Sequence, residues 1–153
     1  MKPTKPFDAT QAKPPLAPFI LLALALIGLG DVFYLSYFQY MNLIPTCAIG
    51  GCEIVLTSAQ SKFFGVPWSY IGLVYYTYML CLAVLLAVDP RSFGLRLGVL
   101  MYTGAGLLYS VYAIFYIQLS VIHALCQFCA ISAVTTLCLF IVAVWHFRSS
   151  RIH

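Results

Sequence analysis

Six cysteines occur in this chain of 153 residues, and four of them form two close pairs, Cys47 with Cys52 and Cys126 with Cys129. A pair of thiols this near in sequence can open and close a disulfide, and exchange between two such pairs moves two electrons. Cys47 and Cys52 enclose Ala48-Ile49-Gly50-Gly51. The two glycines free the backbone to bring the alpha carbons into disulfide range, about 4.4 to 6.8 Å, and to let the loop swing. Cys126-Gln127-Phe128-Cys129 is a CxxC opening an apolar run, so Cys126 stands where a helix dipole favours the thiolate.

Other chemistries use the same residues. A static staple suits Cys47 and Cys52 alone, and four thiolates together could hold a metal ion. Haem attachment would need a histidine at position 130, which is Ala130. An iron–sulfur site has no further support. The spacing by itself leaves relay, staple and metal site open. Asp31 is a second kind of candidate, because an ionisable group in an apolar run is costly and points to function. Its reading is open between a neutral structural acid and a proton carrier. His123, three residues before Cys126, reads as a solvated interfacial histidine, and Cys81 and Cys138 as small hydrophobes within apolar runs.

The elements that must position these groups are membrane helices. The chain is 63% hydrophobic and 8% charged, whereas soluble domains carry about 25% charged residues. At about 20 apolar residues per span the length allows four or five spans and excludes a separate soluble catalytic domain. Four runs qualify: about Leu16 to Tyr40, about Val66 to Val88, about Leu97 to Gln118, and about Cys126 or Gln127 to Trp145. The first follows Lys2, Lys5 and Lys13 as a signal peptide would, but it continues through Val32-Phe33-Tyr34-Leu35 without a small-residue cleavage site. Pro67 is expected in the first turn of the second span. Gly94, Gly98, Gly106 and Ser110, at four-residue spacings, are expected to let the third approach a neighbour closely. The predicted fold is an all-α integral membrane four-helix bundle with a cysteine-bearing extracytoplasmic loop between helices 1 and 2. Its predicted parts are an N-terminal tail (1–15), a membrane domain (16–147) and a C-terminal tail (148–153).

The net charge of +4 is spread over short connections and forms no nucleic-acid patch. Lys2, Lys5, Lys13, Arg91, Arg96, Arg148 and Arg151 fall at the termini and the second connection, and Lys62 alone in the first. The positive-inside rule then predicts cytoplasmic termini. Parity sends the connections 41–65 and 118–126, and with them both cysteine pairs, to the other side, the periplasm or its equivalent, where disulfides persist.

Specific segments resemble a known family. Gly28-Leu29-Gly30-Asp31 through Tyr34-Leu35, then Cys47 to Cys52 with Glu53-Ile54-Val55-Leu56-Thr57-Ser58, then Phe64-Gly65-Val66-Pro67-Trp68-Ser69-Tyr70-Ile71-Gly72, and finally Cys126-Gln127-Phe128-Cys129 are similar to the vitamin K epoxide reductase (VKOR) family, particularly its bacterial members. The resemblance covers essentially residues 16–147. It implies a four-helix bundle around a quinone, ubiquinone or menaquinone, which serves as electron acceptor in the bacterial inner membrane. It assigns Cys47 the mixed disulfide with a thioredoxin-like (DsbA-like) partner, Cys52 the exchange with Cys126, and Cys129 the side facing the quinone. Ser58 matches a loop serine or threonine that supports the cysteine site, and Trp68, Ser69 and Tyr70 lie where the second span lines the quinone pocket. Ala133 stands where vertebrate members carry tyrosine, which puts vitamin K epoxide reduction in doubt. The chain stops at His153 without the thioredoxin-like domain of many bacterial members, so the expected partner is a separate periplasmic protein. A DsbB-type oxidase would carry its CxxC in the first outer loop, and chain order disfavours it.

Overall fold

The structure is a computed structural model that describes residues 16–48 and 50–149; the terminal tails expected at 1–15 and beyond Ser149 lie outside the described residues. Its long helices are α1 (Leu16–Tyr40), α3 (Trp68–Val88), α4 (Phe93–Val111) and α5 (Gln127–Ser149). Between α1 and α3 lie the short helix α2 (Cys52–Thr57), a 3₁₀ turn (Ala59–Ser61) and a hairpin of β1 (Lys62–Phe63) with β2 (Val66–Pro67). The two strands pair antiparallel, Lys62 opposite Pro67 and Phe63 opposite Val66. From α4 the chain continues without a break as a π-helix, Tyr112–Ile122. Among the described residues four helical stretches are long and apolar enough to cross a membrane: Leu16–Tyr40, Trp68–Val88, Phe93–Ile122 and Gln127–Ser149. The protein is a helical membrane bundle.

Three spans differ in their limits from the sequence reading, the fourth by continuing past Trp145 to Ser149. The second span begins at Trp68, because Val66 and Pro67 are taken up by the hairpin and Pro67 becomes the residue that caps the helix. The third runs from Phe93 to Ile122, since the π-helical turns carry it past Gln118.

Helix α1 packs along both α3 and α5, α4 packs along α5, and α3 meets α4 only sparsely. Apolar side chains hold one end of this bundle shut, with Leu21 and Ala25 of α1, Tyr76, Met79 and Leu86 of α3, Val99 of α4, and Leu139 and Ala143 of α5 all buried. Close contact between α1 and α3 requires Gly28: a β-carbon there would lie 2.1 Å from the Tyr76 ring. The expected close approach at Gly94 and Gly98 does not occur, for a β-carbon at either position would meet nothing within 4 Å. These glycines lie on a face of α4 that no described side chain covers. Gly106, in contrast, faces Tyr75, whose hydroxyl would be 2.3 Å from an added β-carbon. Tyr75 also stacks on Tyr102 of α4, ring centres 4.8 Å apart, so aromatic rings set the α3–α4 separation.

Candidate thiol exchange site

At the other end a second apolar cluster forms around Cys52, Val55 and Cys126, with Cys47, Leu56, Phe128 and Cys129 packed against it. All four paired cysteines therefore meet in one cluster, although 74 residues of sequence separate Cys52 from Cys126. Cys47 and Cys52 are joined as a disulfide with their alpha carbons 6.2 Å apart. Cys126 and Cys129 are free thiols, the first fully buried.

Two contacts dock the disulfide loop on the segment that leads into α5. Gly51 has φ +81°, and a β-carbon there would lie 2.6 Å from the Leu125 carbonyl oxygen. Only glycine fits both the left-handed backbone and the contact. The Ala48 N–H also donates to Gln127 Oε1 at 3.1 Å. The loop expected to swing is thus seated directly against the CxxC.

Gln118 organises the reduced pair from the end of the third span. Its backbone carbonyl accepts from the N–H groups of His123 and Ala124, closing the π-helix with His123 at φ 56°. Its side-chain Oε1 accepts the Cys126 N–H at 3.1 Å. His123 is exposed, and its backbone turn is what directs the chain toward Cys126. The Cys126 carbonyl accepts the first hydrogen bond of α5, from Ala130 at 3.0 Å. Cys126 therefore caps the helix. Its thiol is held below the usual cysteine range, chiefly by a hydrogen bond from the Cys129 thiol and further by the backbone N–H groups of Cys129 and Phe128, against the opposing effect of burial.

Below the cluster lies an apolar cavity of about 380 Å³, within the range of about 300 to 1,000 Å³ typical of small-molecule sites. Cys129 lines it and Cys126 does not. Trp68 and Ser69 also line it, together with Ile71, Gly72, Tyr75 and Tyr76 of α3, but Tyr70 does not. Helix geometry explains this: the cavity-facing stripe follows the spacing Ser69, Gly72, Tyr76, and position 70 falls outside it. Val55, Leu56, Gln60 and Ser61 roof the cavity. Trp68 fastens the roof by donating from Nε1 to the Gln60 carbonyl at 2.9 Å, and its ring also packs on Phe63 and Tyr109. Ser69 donates to the side-chain oxygen of Gln39.

Ser58 hydrogen-bonds within its own loop. Its hydroxyl donates to the Val55 carbonyl at 2.7 Å and its carbonyl accepts from the Ser61 hydroxyl at 2.7 Å, so it shapes the end of the helix that carries Cys52. Asp31 lines the cavity from α1. Sequence reasoning missed Gln118, Gln127 and Gln39. Each is an amide side chain beside or inside an apolar run, and that mismatch is the signal that marks them.

The sequence model of the Vitamin K epoxide reductase family matches residues 19–144. The chain belongs to this family. No curated protein matches it. As a member of the VKOR family with four apolar spans, the protein is a multi-pass membrane thiol oxidoreductase. The four-cysteine metal reading has no support, because two of the thiols are consumed in a disulfide and among the described residues no three His, Cys, Asp or Glu side chains converge as a metal site requires.

Proposed function

We propose that the protein takes electrons from a reduced thioredoxin-like partner and delivers them to a membrane quinone, so that new disulfides form in exported proteins. The observation that carries this reading is the stacking of three parts: a half-buried disulfide at the surface, a buried CxxC directly against it, and an apolar cavity opening on Cys129.

A partner dithiol reduces Cys47–Cys52 through a mixed disulfide on Cys47, the less buried of the two sulfurs. The Cys52 thiolate attacks Cys126 of an oxidised Cys126–Cys129 pair and displaces Cys129. Cys47 then attacks Cys52, reforming the outer disulfide and expelling Cys126. A leaving thiol of lowered pKa departs faster, which is the use of the hydrogen bonds that hold Cys126 low. Closing the Cys126–Cys129 disulfide finally releases two electrons to the acceptor.

A quinone fits the cavity on its own terms, since the walls are apolar, Trp68, Tyr75 and Tyr109 offer flat faces and the sparse α3–α4 contact leaves a side toward lipid. The bound quinone supplies a two-electron, two-proton sink. In this reading the partner is a separate periplasmic protein, the membrane is the bacterial inner membrane, and both termini are cytoplasmic, as the distribution of basic residues supports.

The deciding experiment supplies the purified protein with a reduced periplasmic thioredoxin-like dithiol and either a short-tailed ubiquinone or a menaquinone. Quinone reduction that depends on the dithiol and stops in Cys47→Ala is expected. Stoichiometric zinc without any quinone reduction would overturn the reading.

A further inference from the structure

Quinone reduction consumes two protons, and only one thiol of the inner pair borders the cavity. Cys129 can hand its thiol hydrogen to an acceptor in the cavity, whereas Cys126 lies off the cavity wall. A second acid must stand at the cavity. Of the four acidic residues in the chain, Asp8 precedes the first span, and Glu53 and Asp89 are exposed outside the apolar spans. Asp31 is the one within a span, and it lines the cavity together with Cys129.

The surroundings of Asp31 are unusual for a carboxyl group. Its Oδ2 is closed off from solvent and has no hydrogen-bond partner among the described residues, and an unpaired charge in such a place is strongly unfavourable. A neutral acid keeps the fold intact there, and Asp31 is near enough to Tyr76, Cys126 and Cys129 to act on each electrostatically. The Tyr76 hydroxyl is already held by Ser132 and Thr136, through contacts of 3.0 Å to the Ser132 carbonyl, 2.9 Å to Ser132 Oγ and 3.2 Å to Thr136 Oγ1. A structural acid would be expected to complete that network. Asp31 Oδ2 is instead left open.

We infer that Asp31 is the proton donor that complements the thiol pair during quinone reduction; this rests on the quinone reading above. As the Cys126–Cys129 disulfide closes, two electrons and the Cys129 proton go to the quinone, and Asp31 supplies the other proton. When Cys126 enters the step as the thiolate, the site holds one negative charge before it. Afterwards it holds one, on the Asp31 carboxylate. When the outer dithiol next reduces Cys126–Cys129, it delivers two protons: one goes to Cys129, the other to Asp31, and the negative charge returns to Cys126. No charge has to enter or leave the apolar interior in either half of the cycle, which is why a carboxyl group suits this position.

The test separates the two half-reactions. Protein reduced with dithiothreitol and freed of it is mixed rapidly with short-tailed ubiquinone, and quinone reduction is followed in the wild type, Asp31→Asn and Asp31→Glu. Loss of a positioned general acid lowers the rate by about 10² to 10⁴-fold, so a fall of at least about 10²-fold is expected in Asp31→Asn, with partial recovery in Asp31→Glu. Ubiquinone affinity, read from Trp68 fluorescence, and exchange of the Cys47–Cys52 disulfide with a dithiol in the absence of quinone are expected to stay at wild-type values. In the wild type the infrared difference spectrum between the dithiol and disulfide states should show loss of a carboxylic-acid band and gain of a carboxylate, both absent in Asp31→Asn. Wild-type rates in Asp31→Asn, or a wild-type spectrum without a carboxyl change, overturn the inference. Failure of the wild type itself to reduce quinone removes the underlying reading instead, and this inference with it.

Discussion

Cys126 and Cys129 are chemically identical residues three positions apart, and their surroundings make them different reagents. Cys126 caps a helix and receives hydrogen bonds, whereas Cys129 donates one and borders the cavity. A thiol with a lowered pKa is ionised above that value and loses its charge as the pH falls through it. Thiolate absorbance of the protein with the outer disulfide intact should therefore persist to lower pH than for an ordinary cysteine. In Cys129→Ala the principal donor is gone, and the midpoint should move upward; an unchanged midpoint would assign the effect to the backbone alone. The same residue divides the relay. Cys129→Ser should abolish quinone reduction, followed by quinone absorbance with a reduced dithiol as donor, because Cys126 keeps no thiol with which to close the inner disulfide.

At the scale of elements the decisive contact is the seat of the 47–52 loop on the 124–126 connection. Gly51→Ala would force a side chain into a left-handed backbone and against the Leu125 carbonyl, at a cost of about 1 to 3 kcal/mol. The expected result is slower electron transfer from Cys47–Cys52 to Cys126–Cys129, with quinone reduction by directly reduced protein unchanged. Parallel stopped-flow measurements of the two steps check this. Gly28→Val acts elsewhere, driving α1 from α3 where the Tyr76 ring fills the glycine gap. Overpacking of this kind destabilises by about 1 to 3 kcal/mol, and the thermal unfolding midpoint in detergent should fall accordingly. Both glycines are plain in the sequence. Their partners are not, because each lies on a different element reached only by folding. The row at Gly94 and Gly98 shows the converse, since four-residue spacing marks a smooth helix face without saying whether a neighbour lies beside it.

At the scale of the molecule, the reading requires one sidedness: the thiol site on one face of the membrane and the polar ends of the spans on the other. In intact cells a membrane-impermeant maleimide should label Cys47 after mild reduction, whereas a Ser149→Cys substitution should be labelled only once the inner membrane is opened. The reverse pattern would invert the topology.

Four apolar runs and the cysteine spacings determined the architecture from sequence alone, because spanning a bilayer demands about 20 apolar residues in helical form and leaves few alternatives. The family resemblance was legible for the same reason, in short motifs tied to particular helices. Only the tertiary structure decided which side chains share a wall. It set Cys129 on the cavity and Cys126 off it, excluded Tyr70, brought Gln118 to the Cys126 amide and left an Asp31 oxygen unpartnered. In lipid, apolar residues are favourable on every face of a helix, so hydrophobic pattern carries little information about rotation. Rotation comes from the contacts themselves: a glycine against a tyrosine ring, a loop glycine against a carbonyl, and one glutamine at the end of the third span.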